Sequence, residues 1–158
     1  MSTLYLLRHA KSSWDDPSLN DFDRPLNSRG IRAARFIGSF MHERGFVPDL
    51  ILCSPAVRTR MTSELLLESS AFDAEVIFDD TIYEASLGDL LAVLNDHKAD
   101  KTLVICHNPG IESLIMSLTG SIEPMPTAAL AVLDAADAAE YPYTLTGVYR
   151  PRELMSDA

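Results

Sequence analysis

The chain has 158 residues, 47% of them hydrophobic, and its 13 basic against 23 acidic residues give a formal net charge of −10. That length supports one domain, residues 1–158, with a core large enough to need neither disulfides nor structural metals. The acidic excess argues against nucleic acid and anionic membranes as partners, since both require a positive footprint. The apolar runs are far too short to span a bilayer, and the opening Met-Ser-Thr-Leu-Tyr lacks the features of a signal peptide, so a cytoplasmic protein is expected.

In chain order, Leu4-Tyr5-Leu6-Leu7 is a short continuous apolar run that reads as a buried strand and delivers Arg8 and His9 just past its end. Lys11 to Leu26 follows as a long polar connection with Pro17, Pro25 and four aspartates. A loop of that length beginning at His9 is expected to rim a site. Asn27 caps a helix from Ser28 to about Arg44, with Ile31, Ala34, Phe36, Ile37, Phe40 and Met41 at helical spacing and Gly45 as its stop. A second strand, Leu50 to Cys53, runs through Ser54-Pro55 into a helix from about Ala56 to Glu68 that carries Arg58 near its start. Arg60, two positions on, would point away and serve as a salt-bridge partner.

Glu75 to Phe78 reads as a short strand, and Ser86 to His97 as a helix with Leu87, Leu90, Leu91 and Leu94 on one face. Thr102 to Cys106 is another buried strand, ending in His107; Asn108 is a plausible cap and Pro109 a fitting first residue for the helix through Leu118. Thr127 to Asp134 is a strand candidate whose alanines leave it ambiguous with helix, and Tyr143 to Arg150 a clearer strand stopped by Pro151. Two late strands without a helix between them predict an antiparallel edge. The expected fold is α/β, a three-layer αβα arrangement around a mostly parallel mixed sheet. Cys53 and Cys106, both at strand ends, are expected to be buried thiols.

Three strand ends therefore offer Arg8 with His9, Arg58, and His107. In open α/β sheets ligands gather beyond such ends, and helix N-termini there favour an anion. Each feature alone has an ordinary explanation, Arg8 pairing with an acidic residue and His9 lying on the surface; the repetition of one layout points to a site. An imidazole with one free ring nitrogen is a good nucleophile at phosphorus, and two guanidiniums with one protonated imidazole suit the three equatorial oxygens of a phosphoryl group. No P-loop is present, and the spacing of His9, His42, His97 and His107 does not suggest zinc, so no cofactor or metal is expected. His42 and His97 read as surface residues. Arg24 and Arg32 could reach the rim, but Asp21 and Asp23 nearby make structural ion pairs the better expectation. Trp14 is either a contact for a protein partner or a local plug. The negative whole-molecule charge opposes a phosphorylated ligand, so the cationic groups must act at short range.

The R-H-A after the first strand, the S-P-x-x-R in the middle and the late H-N-P-G together resemble the histidine phosphatase superfamily. The opening R-H-A-K-S-S-W with D-x-D-R-P-L-N-x-x-G is most similar to its compact SixA-type phosphohistidine phosphatase group, over about residues 3 to 120. This resemblance implies His9 as nucleophile and Arg8, Arg58 and His107 as phosphate pocket. The function it implies is a metal-independent phosphatase working through a phosphohistidine intermediate on a histidine-containing phosphoprotein. A broad activity on small phosphomonoesters, or phosphoprotein binding without catalysis, are the alternatives. Larger members that act on sugar phosphates carry insertions over the site; here only a short strand and one helix separate the Arg58 helix from the His107 strand. Glu84 lies where members with an acid catalyst often place a glutamate, and equally where a helix N-terminus favours one. Asp21 and Asp23 are the next candidates for that proton.

Overall fold

The computed structural model describes residues 2–137 and 139–155. Thr3–Arg8 forms β1, where the pleat sends Leu4 and Leu6 to one face and Tyr5 and Leu7 to the other. All four are buried, which fits a central strand covered on both sides. Next come α1 (Ser28–Arg44), β2 (Leu50–Cys53), α2 (Val57–Ser70), β3 (Glu75–Phe78), α3 (Leu87–Asp96) and β4 (Lys101–Cys106). They are followed by α4 (Gly110–Thr119), β5 (Leu130–Ala135), β6 (Tyr143–Tyr149) and a short α5 (Pro151–Leu154). The six strands make one sheet in the order β3-β2-β4-β1-β5-β6, parallel from β3 through β1, with β5 and β6 antiparallel at one edge. The expected α/β arrangement is thus the observed one.

The two faces carry separate cores. Ala34, Ile37 and Met41 of α1 and Leu66 of α2 pack on Tyr5, Leu7, Ile51 and Ile105. Leu90 and Val93 of α3, with Ile111, Leu114 and Ile115 of α4, pack on Leu6, Leu52 and Val104 from the other side. Cys53 and Cys106 are free and buried, as their strand-end positions predict.

The register decides what meets at the strand ends. Arg8 pairs with Cys106 and Cys53 with Ile105, so β1, β2 and β4 end side by side. The ladder carries on for one step: the His9 amide donates to the Cys106 carbonyl (3.1 Å), and the Ser54 amide to the Ile105 carbonyl (3.1 Å). His9, Ser54 and His107 are brought together by pairing alone.

Three local expectations need correction. Asn27 caps α1, accepting from the Gly30 amide at 2.8 Å, but Asn108 does not cap α4, which begins at Gly110 with Pro109 in the cap position. The Asn108 side chain instead donates to Glu112 Oε2 (2.7 Å) and to the Met125 carbonyl (3.2 Å), tying the His107 turn to the segment before β5. β5 starts at Leu130 rather than Thr127, because Ala128 turns with φ of 62° and its amide donates to the carbonyls of both Arg8 and His9 (3.1 and 3.0 Å). Pro151 does not simply stop β6 but opens α5, where its fixed φ suits a first helical residue.

Candidate active site

His9 leaves β1 with its ring 94% buried as a residue and its Nδ1 at 2.7 Å from the Ala10 carbonyl oxygen. A carbonyl can only accept, so Nδ1 carries the proton and Nε2 presents a lone pair. Burial is the main cause that pushes the His9 pKa down to about 3; the Ala10 carbonyl opposes this, and His107, Arg58 and Arg8 add to it. At neutral pH the ring is therefore a neutral imidazole whose tautomer is set by backbone.

Arg58, in the first turn of α2, lies with Nε 3.4 Å from His9 Nε2. Its other two nitrogens are held by one residue: Nη1 donates to the Asp21 carbonyl (2.7 Å) and Nη2 to Asp21 Oδ2 (2.9 Å). One turn later, the Thr62 hydroxyl accepts from the Ala10 amide (3.0 Å) and donates to the Arg58 carbonyl (2.7 Å), joining α2 to the turn after His9. Arg8 donates through Nη1 to the Met125 carbonyl (3.0 Å), while its Nε is buried with no partner among the described residues.

His107 sits 5.2 Å from His9, ring centre to ring centre. Its Nδ1 faces Arg58 Nη2 at 3.4 Å, and since a guanidinium only donates, the proton is on Nε2, 2.7 Å from the buried Ser54 hydroxyl. Burial first, then the Arg58 charge, press its pKa down to about 4, with Asp21 pulling the other way. The expected imidazolium is thus a neutral imidazole when no anion is bound.

Arg8, His9, Arg58 and His107 line a cavity of about 230 Å³, together with Arg24 and Asn108 and, among the described residues, without any carboxylate. Four of the five expected site residues come together; Glu84 does not join them. It is exposed, in the left-handed region at φ of 54°, and lines a neighbouring cavity of about 280 Å³ that shares His107 and Asn108 with the first. The residue beside it reaches the site instead, with the Tyr83 ring edge-on to His107 at 5.6 Å and 79°.

The expected ion pair of Arg24 with Asp21 is present, but sequence reasoning missed that Asp21 is a hub that also holds Arg58 and Tyr83. Its carboxylate accepts from Arg58, from Arg24 Nη2 (3.2 Å) and from the Tyr83 hydroxyl (2.7 Å). Partial burial works against ionisation, but the bonds from Tyr83 and Arg58 outweigh it and hold the Asp21 pKa at about 2. Asp21 is therefore an ionised clamp, not a proton donor. Arg24 is buried in the cavity wall, and the exposed ring of Trp14 covers its guanidinium at 3.5 Å. The D-x-D-R-P-L run was the available signal for Asp21 and Arg24, and the Ile82-Tyr83-Glu84 run for Tyr83. Arg32 and Arg60, expected in ion pairs, form none among the described residues. Among those residues no three of His, Cys, Asp and Glu group as a metal site would need, and no helix is long and apolar enough to cross a membrane.

A model of the histidine phosphatase superfamily, branch 1, matches residues 4–92. The chain belongs to the histidine phosphatase superfamily. The matched span runs from β1 into α3, so it includes Arg8, His9, Arg58 and Glu84 and stops before His107. Among superfamily relatives, an uncharacterised chloroplast protein of Arabidopsis thaliana is 35% identical over 143 residues, covering 84% of this chain; the chain spans 66% of that protein's length. An uncharacterised protein of Mycobacterium tuberculosis is 33% identical, with 82% of this chain and 87% of its own length covered. Among solved structures, that of an Agrobacterium tumefaciens protein named a candidate phosphohistidine phosphatase, SixA, superposes with a TM-score of 0.85 at 30% identity, over 95% of this chain and 98% of that one.

Proposed function

We propose that the protein is a metal-independent phosphatase that takes a phosphoryl group from a phosphohistidine side chain on another protein, holds it on His9, and passes it to water. The observation that carries this reading is the pairing of a neutral imidazole and several cations with, among the described residues, no carboxylic acid in the same cavity. In the first step the Nε2 lone pair of His9 attacks phosphorus in line, the P–N bond of the substrate breaks, and its electron pair returns to the departing imidazole, which takes a proton from solvent. In the second, water attacks phosphorus, the bond to His9 breaks, and phosphate leaves with the water's remaining proton distributed to solvent. The guanidiniums of Arg8 and Arg58 face the equatorial oxygens, and His107 takes up a proton as the doubly charged group arrives, which the added negative charge favours.

An alkoxide leaving group needs a proton in the transition state, whereas an imidazole can be protonated before it leaves. A cavity lined by no carboxyl among the described residues, with Asp21 behind Arg58 locked as an anion, suits the second kind. The name of the Agrobacterium tumefaciens relative supports the same substrate class. Phenolates also leave unaided, so aryl phosphates fall within reach as poorer substrates. The test compares kcat/KM on a phosphohistidine-bearing protein, an aryl phosphate and an alkyl phosphate, with and without EDTA. Phosphohistidine should lead the alkyl ester by at least about 10²-fold, with chelator inert. A preference for the alkyl ester would overturn the proposal.

A further inference from the structure

The charge of this acidic molecule is distributed unevenly, and in one direction. Seven of its 13 basic residues line two adjoining cavities in whose walls, among the described residues, there is no aspartate or glutamate. The larger, about 470 Å³, is bordered by Arg8, Lys11, Arg29, Arg32 and Arg152, with Ala33, Pro126, Pro151 and Met155 supplying apolar wall. It shares Arg8, Lys11 and Thr127 with the His9 cavity, so the two are continuous along one border. Arg29 and Arg32 stand in the first turns of α1, whose start is bound to the chain after His9 through the Asn27 amide and the Lys11 carbonyl (3.0 Å). Arg152 faces them from α5.

Among the described residues none of Lys11, Arg29, Arg32 and Arg152 forms an ion pair. Like charges converging on a concave site repel one another, and an oxyanion that accepts from several of them removes that repulsion. The volume falls in the range of small-ligand sites, roughly 300–1,000 Å³. At physiological salt the screening length is about 8 Å, so acidic residues on the far surface barely weaken the field inside the cleft. Arg8 borders both cavities, and its buried Nε has no partner among the described residues. We infer that the larger cleft binds a second anionic group, a phosphate ester or a carboxylate, carried on the same substrate whose phosphoryl group enters the His9 cavity. The inference rests on the phosphoryl reading of that cavity and adds a specificity: substrates with two anionic groups are preferred.

The experiment titrates the protein calorimetrically with orthophosphate, pyrophosphate and triphosphate, and repeats the series with an Arg32→Gln, Arg152→Gln double variant. Both positions are exposed, so neither change opens the core. In the natural sequence the affinity should rise at least tenfold from orthophosphate to triphosphate, and in the variant that ratio should fall below threefold. A second arm uses phosphohistidine peptides flanked by aspartate or by asparagine. An aspartate advantage that vanishes in the variant places the second group on a protein, while a gain confined to the oligophosphates places it on a small molecule. No gain with chain length and no aspartate advantage, or a gain that survives in the variant, would overturn the inference. Failure of orthophosphate itself to bind would instead overturn the phosphoryl reading of the His9 cavity.

Discussion

His9 and His107 are two buried imidazoles with opposite attachments: one gives its proton to a carbonyl, the other keeps a lone pair toward an arginine. In the proposed mechanism the group that must be deprotonated for attack is His9, and its pKa of about 3 places the acid limb of kcat/KM well below the ordinary histidine value of 6.5. A limb at pH 6 to 7 that moves on mutation of His9 would contradict this assignment. His9→Ala should lower turnover by at least about 10³-fold and abolish the acid-labile phosphate that rapid neutral quench and mass spectrometry should find on the natural protein. Asp21→Asn should loosen Arg58, Arg24 and Tyr83 together. Vanadate, which mimics the five-coordinate transition state, should then bind at least about tenfold more weakly to a protein that still unfolds cooperatively. On the proposed mechanism, Glu84→Gln should change phosphohistidine hydrolysis by less than about twofold, because the departing imidazole needs no acid from the enzyme. A hundredfold loss there would make Glu84 the acid after all.

At the scale of elements, two glycines of α1 separate structure from chemistry. A Cβ on Gly30 would collide with the Lys11 carbonyl oxygen, and one on Gly38 with Ser69 Oγ and the Leu66 carbonyl of α2. Both are overpacking changes that cost about 1–3 kcal/mol. Gly38→Ala should therefore lower Tm and leave kcat/KM at low temperature within about twofold. Gly30→Ala displaces the chain two residues past His9 and should lower kcat/KM by more than its Tm loss accounts for; equal behaviour of the two variants would contradict this division. The same elements show what the sequence could convey. His9, Arg58 and His107 were legible because each follows a buried apolar strand, and parallel register aligns strand ends without help from side chains. Asp21, Arg24 and Tyr83 lie on connections with no periodicity, so their meeting depends on how the Lys11 to Leu26 loop folds back over α2. Asn108 was misread because Asn before a helix is ordinarily a cap; here a more distant partner, Glu112 with Met125, takes its amide. Glu84 was singled out for its acid; it lies at φ of 54° on the neighbouring cavity, while Tyr83 beside it contacts His107.

For the whole molecule, the site makes the fold sensitive to acid. His9 and His107 have folded pKa values near 3 and 4 against about 6.5 unfolded, so below pH 6.5 the unfolded chain binds protons that the folded one does not, and stability falls until about pH 4 to 3. Asp21, at about 2 folded against 3.8 unfolded, adds stability that is present above pH 3.8 and is lost as pH falls toward 2. Both effects have the same sign, so Tm should drop steadily from pH 7 to pH 4, and His107→Gln should flatten that drop. A Tm independent of pH over this interval would contradict the buried neutral pair. One last property follows from the ring that covers Arg24. Trp14 is the chain's single tryptophan, 74% exposed, with a cavity-wall guanidinium 3.5 Å from its ring centre. Indole emission responds to a cation at that distance, so any anion that draws Arg24 toward the cavity alters the fluorescence of the only fluorophore of its kind. The protein thus carries a native optical gauge of its own occupancy: vanadate should shift the emission saturably in the natural sequence and leave it unmoved in Arg24→Met.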